Sequence, residues 1–204
     1  MKPIKTILVL ALLVAPGLAS AQGYYGGGGP PPIPGGFHNR MGRLAYGLSF
    51  GLGGMHDDGG SITCDNCDYN PIAVEGSFHI GGMLSPRFAL LGEFQGNVQT
   101  LHADLYGDTA LVQSALMIAG QFWITPQLWI KGGLGLAYLD VRDDFSGTYA
   151  PQDTGLALLG AVGFELLSAR FFSVDLQGRL IEGSYHGIDD HVTSGTIGIG
   201  LNWY

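Results

Sequence analysis

The feature that most constrains this chain is a two-residue alternation of apolar with small or polar side chains. In the segment 155–166, one phase is apolar, and the other holds glycine, alanine and Glu165. The apolar phase consists of Leu156, Leu158, Val162, Phe164 and Leu166. Side chains point alternately to the two faces of a β-strand. The segment is therefore predicted to be a strand with one apolar face, and the same division recurs in eight segments of the chain.

Charged residues in the middle of these strands all fall in the phase opposite to the apolar residues. They are Glu75, His79, Glu93, Lys131, Glu165, Asp175 and Arg179. The same phase is rich in glycine, alanine and glutamine, which suits a crowded polar lumen inside an apolar exterior. Because buried charges persist when they are paired or hydrated, these residues are expected to form a charge network that plugs a narrow barrel. A proton or ion path stays open as the alternative, but eight strands enclose little more than their own side chains.

The first 42 residues are expected to lie outside the barrel. Residues 1–21 have the features of a secretory signal peptide, with a basic start, an apolar run at 7–15 and the small residues Ala19-Ser20-Ala21. The apolar run is too short for a membrane core of about 30 Å. Residues 22–42 contain four consecutive glycines and a proline cluster, which predicts a periplasmic linker. A polyproline II ligand is the alternative. The barrel domain is predicted at 43–204.

Composition narrows the class of protein further. Glycine contributes 35 of the 204 residues and only 13% of residues are charged. Interior glycine disfavours helices, and no segment after the signal peptide has about 20 consecutive apolar residues, so no helical span is expected. The net charge is −8 and no basic stripe is present, which excludes nucleic acid as an expected partner.

The spacing of the segments predicts an all-β fold, an eight-stranded antiparallel up-and-down transmembrane β-barrel. Short and long connections alternate, which is typical of outer-membrane barrels with short periplasmic turns and longer extracellular loops. An even strand count puts both chain ends on the short-turn side. The predicted strands are 43–55, 72–83, 88–98, 110–123, 128–139, 155–166, 171–181 and 192–203. The predicted long loops are 56–71, 99–109, 140–154 and 182–191.

Aromatic residues concentrate near the predicted strand ends. In a membrane barrel this position predicts girdles at the two membrane interfaces. Ordinary enrichment of aromatics in strands is the alternative. The residues concerned are Phe88, Trp123, Trp129, Tyr138, Phe171, Phe172, Trp203 and Tyr204.

The segment Arg43–Tyr204 resembles the small outer-membrane β-barrel proteins of the OmpA/OmpX type, on its alternation and on the ending Gly-Ile-Gly-Leu-Asn-Trp-Tyr. The resemblance implies a bacterial outer-membrane location after periplasmic transit, and recognition of the last strand by the barrel-assembly machinery. The apolar phase ends at Trp203, so Tyr204 departs from it. No cofactor and no catalytic role are expected. The expected role is structural or interactive, with loops that contact lipopolysaccharide, surfaces or partner proteins. A narrow passive pore is the alternative, and a lipid-modifying enzyme is a weaker one.

Two features of the long loops remain candidates for specific chemistry. Cys64-Asp65-Asn66-Cys67 lies in the first long loop, and in an oxidising compartment a disulfide is the simplest expectation. A metal site that uses both thiols with His56 or an aspartate stays open. Aspartates recur in all four long loops, where divalent cations could bridge them to lipopolysaccharide, although solvated acidic loops are the simpler interpretation.

Overall fold

The computed structural model describes residues 40–57, 60–64, 67, 71–104, 107–143, 153–169, 171–185 and 191–204. The predicted signal peptide and all of the predicted linker before residue 40 lie outside the described residues. Within the described ranges, no helix is long and apolar enough to cross a membrane. Regular structure in these ranges consists of β-strands.

Eight long antiparallel strands close into a barrel, which confirms the predicted fold class. Each strand pairs with its sequence neighbour, and the first strand also pairs with the last, from Tyr46↔Trp203 to His56↔Thr193. A further strand of two residues folds back on the end of the first strand. The strands are β1 Leu44–Asp57, β2 Gly60–Ser61, β3 Ala73–Ser85, β4 Phe88–Asp104, β5 Gly107–Trp123, β6 Leu128–Asp143, β7 Asp153–Ser168, β8 Phe172–Tyr185 and β9 His191–Trp203.

The two rims of the barrel differ in the length of their connections. The short-turn rim carries the connections β3–β4, β5–β6 and β7–β8, together with the start of β1 and the end of β9. The long-loop rim carries the other connections. At this rim the predicted loop 99–109 is wrong, because β4 and β5 stay paired as far as Asp104↔Gly107. A register shift between Thr100 and His102 breaks the alternation there, although the backbone ladder continues past it.

The apolar faces of the strands point outward. Leu134 is 68% exposed and Ile197 is 69% exposed, whereas Glu93 is 1% exposed and Glu165 is fully buried. This distribution is the reverse of that in a soluble barrel, and it follows the phase predicted from the sequence. The exterior therefore suits hydrocarbon, and the lumen holds the ionic groups.

Inward-facing glycines make room for large lumen side chains on the neighbouring strand. Gly51 lies directly opposite Glu75, and Gly163 lies directly opposite Trp129. A Cβ atom added at either glycine would come within 3.0 Å of the facing side chain. The same relation holds for Gly47 with His79 and for Gly200 with Asp175. Glycine in these strands is thus a packing requirement of the lumen.

Candidate functional site in the barrel lumen

The short-turn mouth of the lumen is closed by Arg40. A tight turn precedes β1, with Gly42 at a φ of 74° and the Arg43 N–H donating to the Arg40 carbonyl at 3.1 Å. Positive φ favours glycine, so this residue type permits the turn. The turn directs the Arg40 side chain into the barrel, where its Nη1 and Nη2 donate to the two carboxylate oxygens of Glu165 at 2.9 and 3.0 Å. A bidentate pair of this kind is both strong and directional.

Arg40 was missed by the sequence interpretation, which placed it in a linker. It is 3% exposed, and its Nη2 also donates to Ser168 Oγ at 3.1 Å. One sequence signal could have pointed to it. Four carboxylates face the lumen from the strands, against the two cations Lys131 and Arg179, and this excess of negative charge indicated a further cation from outside the strands.

Aromatic side chains complete this mouth from the inside. The Arg40 guanidinium lies 3.8 Å from the centroid of the Tyr204 ring, and Trp123 Nε1 donates to Glu165 Oε1 at 2.8 Å. Trp123 is 2% exposed, Trp129 1% and Tyr204 5%. The girdle prediction is therefore wrong for these three residues, because the strand phase points Trp123 and Trp129 inward and Tyr204 turns into the lumen after β9.

Tyr204 follows β9 and turns into the lumen, in the phase opposite to Trp203. Its backbone N–H donates to the Phe171 carbonyl at 3.1 Å, and its hydroxyl lies 3.4 Å from Ser173 Oγ. The Tyr204 ring presents its face to the Arg40 guanidinium. The external girdle at this rim is formed instead by Trp203, which stacks on Tyr46 at 5.5 Å and contacts Phe172 at 5.3 Å between ring centroids.

Asp175 is a second carboxylate at this mouth. Its Oδ2 accepts hydrogen bonds from Asn202 Nδ2 at 2.8 Å and from Trp129 Nε1 at 3.2 Å. Its Oδ1 is buried without a hydrogen-bond partner. Asp175 lies directly opposite Glu165 across β7 and β8, so two carboxylates are neighbours in the ladder. Arg40 neutralises the first, and neutral donors solvate the second.

The centre of the lumen holds a second ionic group. Lys131 Nζ donates to Glu93 Oε2 at 3.0 Å, and Arg179 Nη2 donates to Glu93 Oε1. Arg179 also donates through Nε to Gln95 Oε1 at 2.9 Å, and this Nε lies 3.8 Å from Glu75 Oε1. Glu93, on β4, therefore accepts from two cations, one on β6, two strands away, and one on β8, on the opposite side of the barrel. The contacts lock strands that are distant in the sheet.

The predicted charge network thus falls into two ionic groups with one residue beside them. Glu165 pairs with Arg40, and Glu93 and Glu75 pair with Lys131 and Arg179. His79 lies directly opposite Glu93, is 6% exposed, and has no hydrogen-bond partner at Nδ1. Its ring fills the space over Gly47. His79 shares the lumen with the ionic groups, but within the described residues it forms no ion pair with them.

The long-loop half of the lumen also holds an apolar core, in which buried polar residues such as Gln113 and Ser194 are enclosed. Its core is formed by Met55, Leu111, Ala115, Met117, Leu159, Ile181, Tyr185 and Val192. Gln113 is the polar centre of this half, and its Nε2 donates to Tyr185 Oη at 3.1 Å and to the Val192 carbonyl at 2.9 Å. Ile62, beyond β2, packs against the same core, and its carbonyl accepts from Gln99 Nε2 at 2.6 Å.

The loop features have the following places in the structure. Cys64 and Cys67 are joined as a disulfide with a Cα–Cα distance of 5.7 Å. Among the described residues, no group of three or more His, Cys, Asp or Glu side chains is placed to hold a metal ion. The aspartates at 58, 65, 68, 144, 189 and 190 lie outside the described residues, and nothing is described of the side chains at 104, 108 and 143.

Comparison with known proteins identifies the fold. No protein-family model matches the chain. No curated protein matches it either. Solved structures do match: Ail, the attachment invasion locus protein of Yersinia pestis, aligns with a TM-score of 0.55 at 16% identity, over 78% of this chain and 98% of its own. Neisserial surface protein A aligns with a TM-score of 0.53 at 13% identity, over 78% and 96% of the two chains. The chain has the fold of the small outer-membrane eight-stranded barrels.

Proposed function

We propose that this protein is an integral outer-membrane barrel with a structural or surface-interaction role, in which a closed barrel anchors the long-loop rim at the cell surface. The observation that carries the proposal is a lumen closed by ionic groups in one half and by an apolar core in the other. A closed barrel offers two surfaces to its surroundings, which are its apolar wall and its rims. The wall suits lipid, so contact with other molecules falls to the rims.

The apolar wall supports the membrane location. Large apolar side chains such as Phe50, Leu116, Leu134 and Ile199 are each more than half exposed on the outward faces of their strands. Contiguous apolar surface of this extent is not maintained in water by a soluble monomer. An outer-membrane location also fits the fold. The proposal includes cleavage of the signal peptide after residue 21, passage through the periplasm, and insertion by the barrel-assembly machinery.

A narrow passive pore is the second candidate, and the lumen disfavours it. At the short-turn mouth a permeating ion would have to displace Arg40 from Glu165, where two hydrogen bonds hold it. In the other half it would meet Met117, Leu159 and Ile181, which are at most 5% exposed. Hydrophobic constrictions exclude water and ions without a charged gate. The two barriers act in series, so opening one leaves the other in place.

The charge of the long-loop rim indicates the chemistry of its partners. In the part of the chain that the structure describes, this rim carries the acidic residues Asp57, Asp140, Asp153 and Glu182. Arg142, which pairs with Asp140, is a cation among them. Ail was crystallised with sucrose octasulfate, a heparin analogue. A polyanion of that kind would be repelled by the acidic rim of this chain. Divalent cations that bridge these carboxylates to lipopolysaccharide, or partners with basic surfaces, fit the rim better.

Binding of the refolded protein to purified lipopolysaccharide in the presence and absence of Ca²⁺ tests this role. The variant Asp153→Asn with Glu182→Gln removes two described carboxylates from the long-loop rim. Arg87→Gln changes one charge at the opposite rim and serves as the control. We expect Ca²⁺-dependent binding that weakens in the double variant and is unchanged in the control. Lipopolysaccharide binding that is the same with and without Ca²⁺, and the same in the double variant as in the wild-type protein, would contradict the proposed contact.

A further inference from the structure

Glycines on the outer wall differ from those in the lumen. Inward glycines such as Gly51 and Gly163 face a large side chain that would collide with any Cβ atom. At the outward glycines Gly76, Gly160 and Gly178, a Cβ atom would meet no atom within 4 Å. The packing of the barrel itself therefore does not require glycine at these three positions. Glycine weakens a strand, and one cause of its presence is the close approach of another molecule to the backbone.

Two of these open glycines line the same groove. The groove crosses the outer wall over β7, β8, β9 and β1, with a volume of about 550 Å³. Gly160 and Gly178 form its floor. Gly195 also lines the groove, but Leu180 covers it: a Cβ atom added at Gly195 would lie 3.2 Å from Leu180 Cδ2. The outward side chains at its margins are Leu52, Val162, Leu180 and Ile197. Gly76 lies on β3 and does not line this groove.

The surface that the groove offers to an occupant is mainly apolar, and Thr196 in its lining is only 5% exposed. Backbone groups of the floor take part in strand pairing, with Gly160 opposite Leu180 and Gly178 opposite both Val162 and Ile197. Arg179 lines the groove from below, but it is 3% exposed and its guanidinium points into the lumen. The groove is also continuous with the apolar wall that faces lipid. Its chemistry therefore fits a hydrocarbon chain rather than a polar ligand.

The height of the groove and the charge at its foot indicate which lipid reaches it. Seven residues separate Phe171 from Gly178, about 23 Å along a strand, and a strand tilt of about 45° reduces this to about 16 Å across the membrane. This height is close to half of a core of about 30 Å. The Arg43 guanidinium lies 4.9 Å from the centroid of the Phe171 ring, which puts a cation at the foot of the same wall. A lipid phosphate at that level would meet a positive charge while its chain end reached Gly178.

We propose that this groove binds one acyl chain of a phospholipid from the leaflet at the short-turn rim, more tightly than the rest of the wall binds lipid. A second copy of the chain is the competing occupant, because small residues also permit close protein–protein approach in membranes. The proposal rests on insertion of the barrel in a membrane and not on the role of its loops. Loss of lipopolysaccharide binding would leave it intact.

Photolabelling tests the proposal. The full barrel is reconstituted in vesicles of phosphatidylethanolamine and phosphatidylglycerol that contain a trace of phosphatidylglycerol with a diazirine at the acyl chain end. After irradiation, labelling is mapped by peptide mass spectrometry at Val162, Leu180 and Ile197 and compared with Phe78 and Ile80 on the other wall. The groove-filling variant is Gly160→Val with Gly178→Val. Gly76→Val is the matched control, because it adds the same side chain at an equally open outward glycine outside the groove.

We expect labelling at the groove to exceed labelling at Phe78 and Ile80 and to fall about fivefold in the groove-filling variant, which corresponds to about 1 kcal/mol of lost affinity. The Gly76→Val control should leave the labelling unchanged. Both variants should fold, because a Cβ atom at each of the three glycines meets no atom within 4 Å, and gel migration without boiling verifies this. Equal labelling of the two walls, or equal loss in variant and control, would overturn the proposal. The proposal would also be overturned if the wild-type barrel formed a dimer that only the groove-filling variant dissociated, because the occupant of the groove would then be a second copy of the chain.

Discussion

The two halves of the lumen are closed by different physical means. The short-turn half and the centre hold ionic groups, in which Glu165 and Glu93 accept from cations and Asp175 accepts from neutral donors. The long-loop half holds packed side chains such as Met117 and Ile181, which make no directional contacts. Removing the partner of a buried ion strongly lowers the free energy of unfolding, because an uncompensated charge stays buried. An apolar core loses stability in proportion to the volume removed. The charged half is therefore the more specific half, and the apolar half is the more tolerant one.

The largest expected effect comes from removing one central cation. Arg179→Leu leaves Glu93 with Lys131 alone and removes the cation nearest Glu75, so we expect a loss of about 3–5 kcal/mol in the free energy of unfolding. Urea titration of the barrel in detergent or vesicles measures it. Arg142→Leu is the control, because its exposed pair with Asp140 should contribute less than about 1 kcal/mol. Similar losses in the two variants would contradict the claim that the buried ions of the lumen depend on their partners.

A charge placed on the outer wall extends the comparison to a third environment, the lipid-facing surface of the barrel. Leu134→Arg should cost about 2–4 kcal/mol, because the guanidinium would meet hydrocarbon. Ala161→Ser, which faces the lumen from β7, should be milder in the same titration. Gly133→Ser is not a fair control, since a Cβ atom there would lie 3.0 Å from the Cβ of Ala119. Equal costs for Leu134→Arg and Ala161→Ser would contradict the assigned faces.

The apolar half should respond in a graded way. Ile181→Val removes one methylene from a fully buried side chain, and we expect a loss of about 1 kcal/mol, while Ile181→Ala should cost about 3 kcal/mol. Unfolding midpoints of the two variants give the slope of stability against removed volume. A loss for Ile181→Val as large as that for Arg179→Leu would show that this half is as intolerant as the charged one.

The smallest effect on stability is expected at the disulfide. Its loop contains few residues, so breaking it releases little chain entropy. Cys64→Ser with Cys67→Ser should change the free energy of unfolding by less than about 2 kcal/mol and leave both halves of the lumen closed. Unfolding of the variant, compared with the reduced wild-type protein, measures this. A barrel that fails to fold without the two cysteines would mean that the first long loop helps to close the lumen.

Much of this architecture could be predicted from the residues because a period of two is a direct consequence of strand geometry. All seven predicted lumen residues face inward, and the eight barrel strands follow the predicted order. The alternation also places Trp123 and Trp129 in the inward phase, but the girdle prediction was made from their position near the strand ends and did not use this phase. Arg40 could not be placed by periodicity, since it enters from a turn outside the strands. The matching of Gly51 with Glu75 needs the strand register, which alternation alone does not supply.

Conductance of the reconstituted protein in planar lipid bilayers tests most directly whether both halves of the lumen are closed. The account predicts no stepwise current for the wild-type barrel. It also predicts none for Arg40→Gln, because the apolar half remains shut when the short-turn mouth is loosened. Frequent, uniform current steps from the wild-type protein would contradict the closed lumen and favour the narrow pore.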